Sequence, residues 1–368
     1  MTKNVIFYLP KDQRGNLNLQ SGTNLRPAEM KKAFLKRGFQ ITEVSGSVAT
    51  RKKKIKKILK NKELVNRSFL YVESANIPFM LSNYKHWPLS PIGDLWNFYC
   101  LSKKMKIGFF YRDIHWRYKN YCEITGRLKG TILKLLFYLE YFFLDKIFDY
   151  IFVPSDEFIE YFPPILKKAV YVNLPPGCIE TESVFELPQK ALIKCFYSGN
   201  INPYSTYDLT SVLKCFQLCP FAELTINTDK EYFEKYANYY NDYLQLKNVH
   251  ITFDAYGEKV KEKRYTIAIV LFGLNGRTEI TDIGMPIKIF HYLSLGLPIL
   301  TDRNTPYGRL VEENHLGWTV ESIDELQRIL KKLVESPMLV MEAHKRVLKF
   351  ASRNLWENRV NMIEQYLG

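Results

Sequence analysis

The residues most suited to chemistry lie in the segment Ile283-Gly-Met-Pro-Ile-Lys-Ile-Phe-His-Tyr-Leu-Ser-Leu-Gly-Leu-Pro-Ile-Leu300, which reads as loop, helix, glycine stop and strand. Pro286 fits the start of the helix and Gly296 its end. Gly284 and Met285 are placed to expose N–H groups at that start. Lys288 falls in the first turn, where a cation opposes the helix dipole. Its position makes sense if it answers a bound anion. A second segment, Phe196-Tyr-Ser-Gly-Asn-Ile-Asn-Pro-Tyr, follows a strand, and Ser198, Gly199 and Asn200 allow close backbone approach to a diphosphate. In a third, Gln20-Ser-Gly-Thr-Asn-Leu-Arg-Pro-Ala-Glu-Met30, Gly22 and Arg26 precede a helix expected over Ala28–Arg37. Asn24 is its expected cap and Pro27 its first turn, so this helix start also suits a phosphate. The fourth, Phe110-Tyr-Arg-Asp-Ile-His-Trp-Arg-Tyr118, closes a strand with charge beside aromatic rings. Such a mixture suits a carbohydrate. Asp113 or His115 is placed to take a proton from a hydroxyl, Arg112 adds charge and Trp116 a ring face. The structural alternative there is an Arg112–Asp113 pair with a packed Trp116.

Positioning these groups requires strands that end at them. Short apolar, β-branched or aromatic runs recur between helical stretches: Val5–Leu9, Gln40–Val44, Phe69–Val72, Lys106–Tyr111, Tyr150–Val153 and Ala169–Val172, then Lys194–Tyr197, Glu223–Ile226, His250–Phe253, Ile267–Leu271, Pro298–Leu300 and Trp318–Val320. Near-continuous hydrophobicity suits parallel strands covered on both faces. Strand–helix alternation twice over predicts two doubly wound α/β domains, with ligands at the carboxyl ends of the strands. The aperiodic, proline-punctuated stretch from Pro175 to Lys190 marks the boundary. The expected division is residues 1–180, residues 181–345, and a terminal helix 346–368 that returns to the first domain.

Composition narrows the class. The chain has 368 residues, 46% of them hydrophobic, enough for two cores. The 25 Tyr and 24 Phe are core or ligand platforms, core being the default for such large buried areas. A formal charge of +14 points to an anionic partner. Much of it sits in Arg51-Lys-Lys-Lys-Ile-Lys-Lys-Ile-Leu-Lys-Asn-Lys62, either a solvated helix face or an anchor on anionic lipid. The six cysteines are scattered with no histidine pair beside them, which argues against zinc and for reduced thiols of a cytosolic protein. The amino-terminal apolar run is too short for a signal peptide. The most apolar stretch, Thr131 to Phe152, carries Lys134, Glu140, Asp145, Lys146 and Asp149, too many charges for a spanning helix. It is either a buried crossover helix or a surface that dips into lipid. The chain is expected to be soluble or peripheral.

Together these residues resemble a known family. Pro286-x-Lys288-x-x-His291-Tyr-Leu-x-x-Gly296-x-Pro298 resembles the donor-site signature of GT-B glycosyltransferases, particularly those close to glycosyltransferase family 4 that build bacterial capsule, exopolysaccharide and lipopolysaccharide. Ser21-Gly22 and Arg26-Pro27-x-x-Met30 resemble the family's first-strand loop, Arg112-Asp113 its acceptor-side motif and Leu174-Pro-Pro-Gly177 its domain linker. Gly308 to Trp318 resembles the segment after the donor helix. The resemblance implies a GT-B fold, two Rossmann-like domains facing each other across a cleft, and a hexosyltransferase. Lys288 would contact the nucleotide diphosphate, with Ser198, Gly199 and Asn200 near the phosphates. Gly22, Gly284, Met285, His291 and Tyr292 would complete the donor set. Asp113 and His115 would serve the acceptor hydroxyl, beside Arg26, Arg112 and Trp116.

The resemblance further implies a UDP-, GDP- or dTDP-sugar as substrate, no metal or other cofactor, and a glycan or polyprenyl-diphosphate-linked acceptor. The enzyme would be cytoplasmic and peripheral on the inner membrane face, its basic run against anionic lipid. No Asp-x-Asp metal pair occurs. The sequence departs from the retaining pattern: His291 and Ile283 stand where glutamates are expected, so His291 binds ribose or sugar, or simply packs. Two other classes stay open. A GT-B sugar-nucleotide epimerase would be more acidic. A basic nucleic-acid-binding protein is disfavoured, since no helix-turn-helix, RNP or zinc pattern appears.

Overall fold

The computed structural model describes residues 3–10, 22–74, 77–82, 93–163, 168–189, 191–253, 260, 262–274, 276 and 278–368. The chain forms two compact units. The first holds the amino-terminal part through Pro175 and the terminal segment Trp356–Gly368; the second runs from Pro176 to Leu355. Each is built on one six-stranded sheet, and every strand pairing is parallel.

In the first unit the strands are β1 (Lys3–Tyr8), β2 (Phe39–Val44), β3 (Ser68–Glu73), β4 (Ile107–Phe110), β5 (Tyr150–Val153) and β6 (Val170–Asn173), in the order β2-β1-β3-β4-β5-β6. In the second they are β7 (Ile193–Ser198), β8 (Ala222–Asn227), β9 (Val249–Thr252), β10 (Ile267–Val270), β11 (Ile299–Asp302) and β12 (Gly317–Val320), in the order β12-β11-β10-β7-β8-β9. Each expected strand is present, displaced by two residues at most. The order reverses between β1 and β3 in one sheet and between β7 and β10 in the other. Those are the switch points where doubly wound sheets hold ligands.

Alternate residues of each strand feed opposite cores. Ile193, Cys195 and Tyr197 of β7 enter one cluster with Ile267 and Ile269, while Phe196 enters another with Ala268 and Val270. In the first unit Phe7 meets Phe34 of the helix Gly22–Lys36, whereas its neighbour Tyr8 meets Phe98 of the helix Gly93–Ser102. Both faces of both sheets are therefore covered, which is why the strands read as apolar without polar alternation. Edge-to-face pairs such as Phe34–Phe39 and Phe79–Phe98 account for much of the aromatic surplus.

Three local expectations change. The helix carrying Arg26 begins at Gly22, not Ala28, so Asn24 and Pro27 lie inside it. The first four N–H groups of a helix are unpaired in any case. Pro27 therefore forgoes only the bond to the carbonyl of residue 23, and the earlier turn survives. Gln20 and Ser21, just before it, lie outside the described residues. Next, Arg51 is not part of a surface charge run but is fully buried. Finally, the apolar helix Arg127–Ile147 between β4 and β5 is buried on one side only: Phe137, Glu140, Tyr141 and Leu144 face inward, while Leu128, Leu135 and Leu139 are exposed.

Candidate functional site

The site in the second unit is built at the β7/β10 switch point. The chain leaves β7 through Ser198, Gly199 and Asn200, and leaves β10 through Leu271, Phe272 and Gly273. The helix Ile287–Ser294 follows, capped by Pro286, and Gly296 ends it at a φ of +74°. Lys288 is the second residue of that helix and is 8% exposed. Its ammonium points at Gly199: a Cβ built there would lie 2.6 Å from Lys288 Nζ. Gly199 also has a φ of +140°, a backbone conformation that favours glycine, and a side chain there would displace the ammonium.

Lys288 Nζ has no hydrogen-bond partner among the described residues. Three rings surround it instead, Tyr197 at 4.5 Å, Phe272 at 4.9 Å and Tyr207 at 5.4 Å from their centroids. Such ring contacts are worth about 0.5–2 kcal/mol each. Burial pulls the pKa of the ammonium from 10.5 down to about 7. A buried cation with no counter-charge is costly, and an entering anion would relieve that cost.

Neighbouring groups hold this arrangement in place. The Tyr292 hydroxyl accepts the Ser198 N–H at 2.7 Å and reaches the Ser198 carbonyl at 3.2 Å, so Tyr292 clamps the end of β7. The Tyr197 hydroxyl donates to the Asn200 carbonyl at 2.5 Å, and Asn200 Oδ1 accepts the Asn202 N–H. Ser198 Oγ accepts from Asn227. Asp302, which ends β11, accepts the N–H groups of Phe272 and Gly273 at 2.7 and 2.9 Å and the Tyr307 hydroxyl at 2.9 Å. It thereby fixes the loop that presents Phe272. His291 follows Lys288 by three residues, on the same side of the helix and half-buried. The Gly284 N–H is not available as expected: it donates to the Ile280 carbonyl at 2.9 Å, capping the preceding short helix Glu279–Ile283. Met285 is partly buried against the core.

In the first unit the expected residues form two groups. Arg26 and Arg112 converge on Glu73, fully buried at the end of β3, at 3.3 and 3.4 Å. Arg26 also stacks 3.3 Å over the Phe110 ring and reaches the Tyr71 hydroxyl. Burial lowers the Arg112 guanidinium below its usual range, with Glu73 opposing that shift and Arg26 adding to it. Two guanidiniums on one carboxylate leave a net positive charge beside the β1/β3 switch point. The second group is Asp113 with His115. Asp113 Oδ1 accepts the His115 backbone N–H at 2.9 Å, and its Oδ2 lies 3.3 Å from His115 Nδ1, outside hydrogen-bond geometry. Both side chains are about a quarter exposed. Trp116 is fully buried, stacked on Phe137, and donates its Nε1–H to the Tyr111 hydroxyl. Its ring faces protein and offers no free platform. Gly22 opens the helix that carries Arg26.

Glu73, Asp302 and the ring cage of Tyr197, Tyr207 and Phe272 escaped the sequence reading. A carboxylate closing an apolar strand run, as in Leu70-Tyr-Val-Glu73 and Ile299-Leu-Thr-Asp302, is the signal that marks the first two. Among the described residues no group of three or more His, Cys, Asp or Glu is placed to hold a metal ion. All six cysteines are free thiols.

Comparison with known proteins places these features in a wider fold. A family profile described as Glucosyltransferase 3-like, C-terminal domain, matches residues 275–354, the stretch that contains Lys288. No curated protein sequence matches the chain. Among solved structures, the chain is similar to HepE of Anabaena in complex with UDP and glucose, with 10% identity over 99% of both chains and a TM-score of 0.60. It is similar to WaaG, a glycosyltransferase involved in lipopolysaccharide biosynthesis, with 13% identity over 99% of this chain and 100% of that one, at a TM-score of 0.56. An alpha-glucosyltransferase in complex with UDP and a 13-mer DNA matches at 12% identity over the whole of both chains, also at 0.56. At such identities the likeness is one of fold, and the chain has the GT-B fold.

Proposed function

We propose that this chain is a glycosyltransferase that moves a sugar from a nucleotide-sugar donor to a glycan or polyprenyl-diphosphate-linked acceptor in bacterial surface polysaccharide synthesis, as a hexosyltransferase akin to family 4. The observation that carries the reading is the buried, unpartnered Lys288 ammonium beneath Gly199. A nucleotide diphosphate at the β7/β10 switch point supplies the missing counter-charge. Gly199 lets its oxygens approach the backbone, and Lys288 neutralises the charge that grows on the leaving diphosphate. The UDP and glucose held by HepE lend support to this choice of ligand. WaaG's part in lipopolysaccharide biosynthesis lends support to the pathway.

In the transfer, the bond from the anomeric carbon to the phosphate oxygen breaks and one to the acceptor hydroxyl oxygen forms. The hydroxyl proton passes to Asp113 or His115, whose side chains are close together and partly exposed. Donor chemistry needs Lys288 charged, and the reading requires no metal. The protein would work in the cytoplasm, peripheral to the inner face of the membrane.

Calorimetry with UDP-, GDP- and dTDP-sugars tests the proposal. One of them should bind the wild type, and Lys288→Ala should weaken that binding by roughly a hundredfold or more while the fold is retained. Absence of binding by the wild type across the panel would remove the transferase reading. Once a donor and acceptor pair is found, Asp113→Asn should lower turnover by about two to four orders of magnitude with donor affinity unchanged. Full turnover by that variant would take Asp113 out of the mechanism.

A further inference from the structure

Three helices lie side by side on the Tyr8 face of the first sheet. Arg51 of the helix Val48–Lys60 and Phe98 of Gly93–Ser102 both contact Tyr8. Glu140 of Arg127–Ile147 accepts the N–H of Phe79, whose ring packs on Tyr8. Right-handed crossovers into β3, β4 and β5 put all three on this face. The first helix packs beside the second and the second beside the third. With their inner sides buried in one core, their outer sides share one surface.

That surface is sorted by chemistry. The third helix has 21 residues, a length of about 30 Å. Its outer side carries Leu128, Ile132, Leu135, Leu139 and Phe143, exposed by 79, 52, 59, 45 and 44%. Steps of three and four make them one continuous stripe. Solitary exposed apolar residues are ordinary, but a stripe this long on a water-facing helix is not. On the middle helix Trp96 and Tyr99 stand exposed with ring centroids 5.6 Å apart, and Lys103 lies over Tyr99. The first helix turns Lys52, Lys53, Lys56, Lys57 and Lys60 outward and contains no acidic residue.

We infer that this three-helix face docks on an anionic lipid bilayer, the Leu128–Phe143 stripe entering the headgroup and acyl-chain boundary while the lysine helix meets the lipid phosphates. Trp and Tyr between the two suit the polar–apolar border. Charge selects this occupant over a second copy of the chain, because the five outward lysines have no acidic residue on their helix to pair with in a copy, whereas lipid phosphates complement them. Glu140 and Asp145, buried on the inner side, keep the helix in the plane of the membrane, and among the described residues no helix is long and apolar enough to cross it. The inference stands on this surface alone and does not depend on which donor the second unit binds.

Flotation with vesicles of phosphatidylcholine, with and without phosphatidylglycerol, tests it in the absence of any sugar nucleotide. The wild type should float with the anionic vesicles and roughly tenfold less with the neutral ones, and added salt should reduce the binding. The double variant Leu135→Gln/Leu139→Gln should lose at least roughly tenfold in binding, as should Lys52→Gln/Lys53→Gln/Lys56→Gln. Both should keep the wild-type melting curve, since the altered side chains are exposed. A blue shift of tryptophan emission on vesicle binding should vanish in Trp96→Phe. The inference is overturned if the wild type does not float, or if the leucine variant floats as the wild type does. It is equally overturned if sedimentation shows a dimer that the leucine variant dissociates, which would make the face an interface between copies.

Discussion

Arg51 and Lys288 are both buried cations near the carboxyl end of a sheet, and the protein treats them oppositely. Arg51, in the first unit, is fully enclosed. It donates to both carboxylate oxygens of Asp94, to the Tyr8 and Ser82 hydroxyls and to the carbonyls of Pro10 and Gly46. Burial alone would lower its affinity for the proton, but Asp94 and then Tyr8 outweigh that and raise it above the usual value. Lys288, in the second unit, is almost as buried and has rings around it but no acceptor. Its proton affinity falls. Burial by itself thus says little about a cation's role. A saturated guanidinium ties together three parts of a fold, here β1, the lysine helix and the Asp94 helix. An ammonium left without an acceptor at a sheet's switch point suits an anion, which is the role proposed for Lys288.

This contrast predicts opposite responses to removal of the charge. Arg51→Met strands Asp94 and several carbonyls in the core and should destabilise the protein by about 3–5 kcal/mol. Chemical denaturation would measure it, and a loss below 1 kcal/mol would show that Arg51 is not the tie described here. Lys288→Met should instead stabilise the unliganded protein, by about 3 kcal/mol at pH 7 after allowance for the lost ring contacts. The sign follows from linkage. The folded value of about 7 lies below the unfolded value near 10.5, so between them the unfolded chain holds more protons. The wild type therefore gains stability as pH rises through that window, and the advantage of Lys288→Met shrinks over the same range. Paired melts of the two proteins from pH 6 to 10 cancel the other titrating groups. A gap that does not close with pH would mean that Lys288 already has a counter-charge in the folded state.

The sequence disclosed the two sheets because both faces of each are covered, so every strand is a compact apolar run. It singled out Lys288 because a lysine in a first helical turn is electrostatically misplaced, and Gly199 because a strand ending in Ser-Gly-Asn allows close backbone approach, and the structure brings those two residues side by side. It did not distinguish Arg51 from the lysines that follow it. All lie in one run of basic residues, and only helical phase turns Arg51 inward with Val48, Ile55 and Ile58 while Lys52, Lys53, Lys56 and Lys57 face out. Nor did it reveal that Trp116 is enclosed. The ring's fate depends on Phe137 and Tyr138, some twenty residues downstream on another helix. Glu73 and Asp302 were missed for the same reason, since each derives its role from partners on neighbouring strands and loops. Local rules read what a residue does to its own element, and the partners that decide between structure and site come from distant parts of the chain.

The smallest effect gives the sharpest form of the contrast, since it reads the proton on Lys288 directly. With a value of about 7, Lys288 is about half protonated at pH 7 in the unliganded protein. A bound diphosphate favours the charged form and raises that value. Donor binding should therefore take up about half a proton per site at pH 7, nearly one at pH 9 and almost none at pH 5.5. Calorimetry in two buffers of different ionisation heat yields this number without any variant. Donor affinity should follow the same titration, level below pH 7 and falling by up to about tenfold per unit above it, because the proton must be recruited before the anion is met. Arg51 can contribute nothing to such an uptake, as it stays charged throughout. Lys288→Met should bind weakly with no uptake above the level set by the donor's own phosphates. If the wild type bound donor with no proton taken up at pH 9, Lys288 would keep one charge state from the empty to the filled site and would not be the group that answers the diphosphate.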